Sequence, residues 1–149
     1  MTGIEGVKVM NVRSFQLSDY QLVNALLEEV LSEECYEQTM EAFARQLSWD
    51  SDLVLVATVG SEAAGVIIGT IDNNKGYYYR IAVSPVYRRK GVGKALVLAL
   101  KERFETRKVS QIMITADEHN EPVLPLYESL GYADNDFFRS FHKLSIVAG

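Results

Sequence analysis

Cysteine occurs once in these 149 residues, at Cys35, so no internal disulfide can form and no paired-cysteine metal spacing exists. That usage fits a reducing compartment, and a cytoplasmic location with no metal is expected. Nothing in the sequence sets a histidine beside Cys35, so it reads as a helix residue rather than a nucleophile. No apolar run approaches the roughly 18 residues of a membrane span. The segment Met1 to Asn11 lacks a cationic start followed by a long apolar stretch, and a soluble protein is expected. Positive charge is also short, with 15 Lys and Arg against 20 Asp and Glu and a net charge of −5. Wholesale nucleic-acid binding, which rests on neutralising phosphates, is therefore not expected. The acids gather in Glu28-Glu29, Glu33-Glu34, Glu37 and Glu41. They suit a solvated helix face, which can also attract a cationic substrate. Hydrophobic residues at 48% and charged residues at 23% give the balance of one globular domain over residues 1–149, without linkers or low complexity.

What the chain does contain is a basic, glycine-bearing turn between an apolar strand and a helix, Val83-Ser84-Pro85-Val86-Tyr87-Arg88-Arg89-Lys90-Gly91-Val92-Gly93-Lys94. Gly91 and Gly93 reach backbone angles closed to other residues and leave no side chain in the way, so successive N–H groups can converge on anionic oxygens. The helix opening near Val92 adds unpaired N–H groups and the positive end of its dipole. Arg88, Arg89, Lys90 and Lys94 surround the turn with cations. A P-loop would place glycine where Arg88 stands and Ser or Thr where Ala95 stands, and a dinucleotide fingerprint would place glycine at Leu96. Neither pattern is met.

The pattern that is met is Arg/Gln-x-x-Gly-x-Gly/Ala, carried by Arg88, Gly91 and Gly93 after a Val-x-Pro strand end. Farther along come Asn120, Tyr127 and Gly131-Tyr132, again in order and spacing. With these two motifs the chain resembles the GNAT superfamily of N-acetyltransferases, over about Tyr77 to Tyr132 as motif and over the whole chain as element order.

Periodicity supplies that element order. Val7 to Arg13 reads as a strand, followed by helices with Leu22, Leu26 and Val30, then Tyr36, Met40, Phe43 and Leu47, on their apolar faces. Leu53 to Val59, Ala64 to Ile71 and Tyr77 to Val83 are β-rich runs joined by short turn sequences, hence antiparallel hairpins. Gly91 to Glu105 is helical, Val109 to Ala116 a strand, Asn120 to Leu130 a helix, and Phe137 to Ile146 a last strand or hairpin arm. The predicted fold is α/β (α+β): a mixed central sheet of six to seven strands, with an antiparallel N-terminal meander passing into β-α-β-α-β and helices on both faces. Pro85 cannot continue the sheet ladder, so Tyr77 to Val83 and Val109 to Ala116 can splay beside the turn. Their unpaired backbone groups would suit an extended, amide-containing ligand.

The resemblance implies acetyl-CoA as cosubstrate, with its diphosphate on Arg88, Arg89, Lys90, Gly91, Val92, Gly93 and Lys94. A backbone N–H of Ile81, Ala82 or Val83 would meet the developing oxyanion. Asn120 would contact the coenzyme or cap the next helix, and Tyr127 would protonate the departing thiolate. Pro125 departs from the family pattern and is expected to kink the helix just before Tyr127. The implied reaction is transfer of the acetyl group to a primary amine of a small molecule, peptide or protein, by direct attack in a ternary complex. The alternative is a non-catalytic acyl-CoA-binding or sensing module on the same scaffold. A lysine-like amine is neutral in only about one molecule in 2,500 at pH 7, so a base matters. Glu33, Glu34, Asp72, Tyr78, Tyr79, Asp117, Glu118 and His119 are candidates, and none stands out. His142 carries no motif. Pairing of two copies through the last strand is common in the family.

Overall fold

The computed structural model describes residues 9–139 and 146. In chain order they form β1 (Met10–Ser14), α1 (Tyr20–Val30), α2 (Glu33–Trp49), β2 (Val54–Val59), β3 (Glu62–Asp72), β4 (Lys75–Val83), α3 (Val92–Thr106), β5 (Gln111–Thr115), α4 (Leu124–Ser129) and β6 (Phe137–Phe138). The strands make one sheet in the order β1-β2-β3-β4-β5-β6. The first four are antiparallel neighbours, while β4 with β5 and β5 with β6 are parallel. The predicted mixed sheet is thus observed, with six strands.

Alternation along the strands sorts the core into two layers. Leu55, Ala57, Val59, Ile67 and Tyr78 pack beneath Val92, Leu96, Val97, Leu100 and Phe104 of α3. Val54, Val56, Val66, Ile68, Tyr77 and Tyr79 meet Val23, Leu26 and Leu27 of α1 and Ala42 and Phe43 of α2 on the opposite face. Gly69 lets α3 lie close to the sheet, because a Cβ there would stand 2.7 Å from Leu100 Cδ2. The β3–β4 hairpin turns on Asn73 and Asn74, both left-handed at φ 52° and 60°, as a two-residue turn of the right twist requires.

Several boundaries differ from expectation. On α1, Leu22 is 47% exposed and the buried stripe is Val23, Leu26 and Leu27. On α2, Phe43 is buried, but Tyr36, Met40 and Leu47 only flank the core while Cys35, Thr39, Ala42 and Gln46 take its inner positions. The expected helix from Asn120 to Leu130 is a 3-10 turn, Glu121–Val123, followed by α4. Pro125 therefore lies in the first turn of α4, where its missing N–H has no intrahelical partner to lose, so the expected disruption before Tyr127 does not arise. Of the two terminal strands, residues 7–8 and most of 140–146, His142 included, lie outside the described residues.

Candidate active site

The β4–β5 ladder runs from Lys75 opposite Gln111 to Tyr78 opposite Ile114 and stops there, while β4 continues to Val83. A bulge interrupts β4 at the same point, since Ile68 faces Arg80 and Gly69 faces Tyr78, leaving Tyr79 over. Beyond the bulge the pairing with β3 is regular, and Ser84 N–H donates to the Ala64 carbonyl at 2.8 Å. Antiparallel alternation then turns the backbone of Arg80 and Ala82 toward β3 and that of Ile81 and Val83 toward the open edge. Of the three expected oxyanion donors, the N–H groups of Ile81 and Val83 thus face the gap. All three residues line a cavity of about 590 Å³.

The basic turn closes one end of this cavity. Arg89 and Gly91 are left-handed, at φ 63° and 82°, and Gly91 is the N-cap of α3. The first α3 bond is Ala95 N–H to the Gly91 carbonyl, so Val92, Gly93 and Lys94 keep N–H groups without helical partners. The Val92 side chain is core, and only its backbone is available to a ligand. A Cβ on Gly93 would come within 3.0 Å of Leu126 Cδ2, so this glycine also admits α4. Arg88 lines the cavity and anchors its Nε on the Val83 carbonyl at 3.2 Å. Arg89, Lys90 and Lys94 are exposed around the turn.

The other end is held by a charge the sequence reasoning missed. Arg80, 2% exposed, donates from Nε to Thr39 Oγ1 of α2, from Nη1 to Asp117 Oδ1 and Asn120 Oδ1, and from Nη2 to the Tyr79 hydroxyl and Asp117 Oδ2. Its guanidinium also lies 4.7 Å from the centroid of the Tyr79 ring. Burial works against the charge, but Tyr79 and Asp117 outweigh it and the pKa is raised. A signal existed, because an arginine inside the run Tyr77 to Val83 must find partners once buried. Asn120 occupies the N-cap position of the 3-10 turn without a side-chain cap bond. Its Nδ2 donates instead to the carbonyls of Tyr79 (2.9 Å) and Thr115 (2.5 Å).

Tyr127 is buried, with its ring 5.3 Å from Tyr78 and 6.3 Å from Tyr132. Val123, which ends the 3-10 turn, and Leu126 of α4 line the cavity, whereas Tyr127 is not among its lining residues. Burial raises its phenol above the ordinary tyrosine range. Among the base candidates, Asp117 is committed to Arg80 and the Tyr78 hydroxyl to that of Tyr132 at 2.7 Å. Glu34, Glu118 and His119 converge, with ligand atoms within 4.8 Å of one another. The buried His119 Nε2 has no hydrogen-bond partner among the described residues. Glu118 and His119 also line the cavity.

Residues 20–132 match the family model described as the acetyltransferase (GNAT) family. Among solved structures, the chain is similar to the PaiA N-acetyltransferase from Thermoplasma acidophilum in complex with coenzyme A, at 19% identity and TM-score 0.67, covering 84% of this chain and 90% of that one. It is also similar to the aminoglycoside N-acetyltransferase AAC(6')-Iy in complex with CoA, at 15% identity and TM-score 0.69, covering 92% and 96%. A third likeness is to the ribosomal-protein-S18-alanine N-acetyltransferase from Escherichia coli, at 24% identity and TM-score 0.64, covering 83% and 77%. At these identities the structural likeness shows the fold.

Proposed function

The chain belongs to the GNAT family of acetyltransferases, and from that premise we propose that it moves the acetyl group of acetyl-CoA to a primary amine of a small molecule, peptide or protein, by direct attack in a ternary complex. The observation that carries this reading is continuity. One cavity runs from Arg88, beside the glycine-opened start of α3, past the unpaired edge of β4 to Glu118 and His119. An anion, an extended amide arm and an amine thus have successive places along one path.

In this reading the N–H groups of Val92, Gly93 and Lys94 take the diphosphate, and the open edge of β4 takes the arm and thioester. Glu34 and Glu118 draw the cationic amine, and His119 Nε2 removes a proton from it. The nitrogen lone pair then forms the C–N bond, and the N–H of Ile81 or Val83 meets the oxyanion. As the tetrahedral intermediate collapses the C–S bond breaks and its electrons leave on sulfur; the thiolate takes a proton from Tyr127, the nitrogen gives its second proton to solvent, and Tyr127 is reprotonated from solvent.

Thiol release from acetyl-CoA across a panel of amines is the test. Amine-dependent release supports transfer. Tight CoA binding without release for any amine would overturn it in favour of the binding-module alternative.

A further inference from the structure

We propose that Arg80 is a positioning residue that holds the sheet open for the arm of acetyl-CoA, acting through the side-chain amide of Asn120. The proposal rests on the acetyl-CoA reading above, because it assigns a purpose to the gap that reading fills.

Two parallel strands whose ladder stops short tend to keep pairing unless something takes the next rung. Here that rung is taken by one carboxamide. Past the last pair, Tyr78 with Ile114, the next carbonyls on the two strands are those of Tyr79 and Thr115. Both accept from Asn120 Nδ2, at 2.9 and 2.5 Å, so a single NH2 group spans the strands where a further pair would have formed. It also satisfies two carbonyls that burial would otherwise leave unpaired.

A carboxamide does this in only one orientation. Flipped, its Oδ1 would face two carbonyl oxygens. Arg80 Nη1 fixes the orientation by donating to Oδ1 at 2.8 Å. The guanidinium is in turn fixed by Thr39 of α2, by the Tyr79 hydroxyl and by both carboxylate oxygens of Asp117. These partners use all five of its N–H groups. Arg80 consequently has no donor left for a ligand, and its effect on one passes through Asn120. The bulge at Tyr79 serves the same end, since bulges re-aim side chains. Lysine could not replace it, because three donors on one atom do not reach Thr39, Asp117 and Asn120 together.

Calorimetry with two ligands tests this: coenzyme A, and 3′-phospho-ADP, which carries the diphosphate without the pantetheine arm. For Arg80→Lys, CoA affinity is expected to fall at least tenfold while 3′-phospho-ADP affinity stays within about twofold. General loosening of the fold would weaken both alike, so parallel losses, or no loss of CoA affinity, overturn the proposal. Asp117→Asn, which keeps the shape of the side chain and removes its charge, is expected to shift CoA affinity in the same direction by a smaller factor. It carries the test should Arg80→Lys not fold. Wild-type protein that binds neither ligand overturns the acetyl-CoA reading itself, an outcome separate from the others.

Discussion

Tyr127 must serve packing and chemistry with one ring. Its tilted contact with Tyr78 and edge-on contact with Tyr132 belong to the α3 side of the core, and its hydroxyl is the proposed donor to sulfur. Tyr127→Phe preserves the ring and removes the proton, so CoA affinity is expected to persist while kcat drops by about a hundredfold, the lower range for lost general acid catalysis. Because burial raises this phenol, the wild-type rate should show no alkaline loss from Tyr127 below about pH 10, where ordinary tyrosines ionise. An unchanged kcat for the variant would leave Tyr127 a core residue only. Asp19 works differently, by stability alone. It is 6% exposed and accepts from Arg13 Nη1 and Nη2 at 2.7 and 2.9 Å and from Gln16 N–H at 2.7 Å. The hydrogen-bonded guanidinium lowers the carboxyl pKa in the folded state. The contribution is therefore complete above the unfolded value of about 3.9 and disappears as pH falls through the lower folded value. Asp19→Asn should cost about 2 kcal/mol at pH 7, as for a hydrogen bond to a charged group. Urea unfolding at pH 7 and near pH 2 should show that cost shrinking with acid.

At the scale of elements, the contact of α3 with the sheet depends on small residues beneath it. Gly69 on β3 lies under Leu100 and Phe104, and a side chain there must push α3 outward. Gly69→Val should destabilise by about 1–3 kcal/mol, the usual range for overpacking, read as a lower urea midpoint at an unchanged slope. A midpoint equal to wild type would mean that α3 has slack. The elements themselves were largely legible in the sequence: Leu53 to Val59 is a β-rich apolar run closed by the turn residues Gly60-Ser61-Glu62, and Gly91 to Glu105 opens on the glycine turn with an apolar centre from Ala95 to Leu100. Helix phase was less so. Leu22 and Val23 are equally apolar in the sequence, and only the position of the sheet decides which is buried. Pro125 misled because sequence alone does not reveal that the helix restarts at Leu124. In the site, the glycine turn was legible since Gly91 needs a left-handed angle that few residues accept. The Arg80 network was not, because Thr39, Asp117 and Asn120 meet it only once β4, α2 and the loop after β5 are folded together.

Over the whole molecule charge is divided rather than spread. The chain carries net −5, with Glu33, Glu34, Glu37 and Glu41 exposed on α2, yet Arg88, Arg89, Lys90 and Lys94 collect around the start of α3. A highly anionic coenzyme approaching an acidic protein is repelled at long range and attracted at short range, so the local cations must dominate the encounter. Screening separates these terms. The Debye length shrinks from about 10 Å at 0.1 M salt to about 3 Å at 1 M, which reaches the exposed cations of the turn and leaves the backbone N–H contacts intact. CoA affinity should fall about tenfold over that range by calorimetry. Replacing Arg89 and Lys90 together by Gln should weaken binding at 0.1 M and flatten the salt dependence, so that variant and wild type converge at 1 M. Parallel salt curves for the two proteins would mean that the backbone cradle holds the diphosphate without help from these side chains.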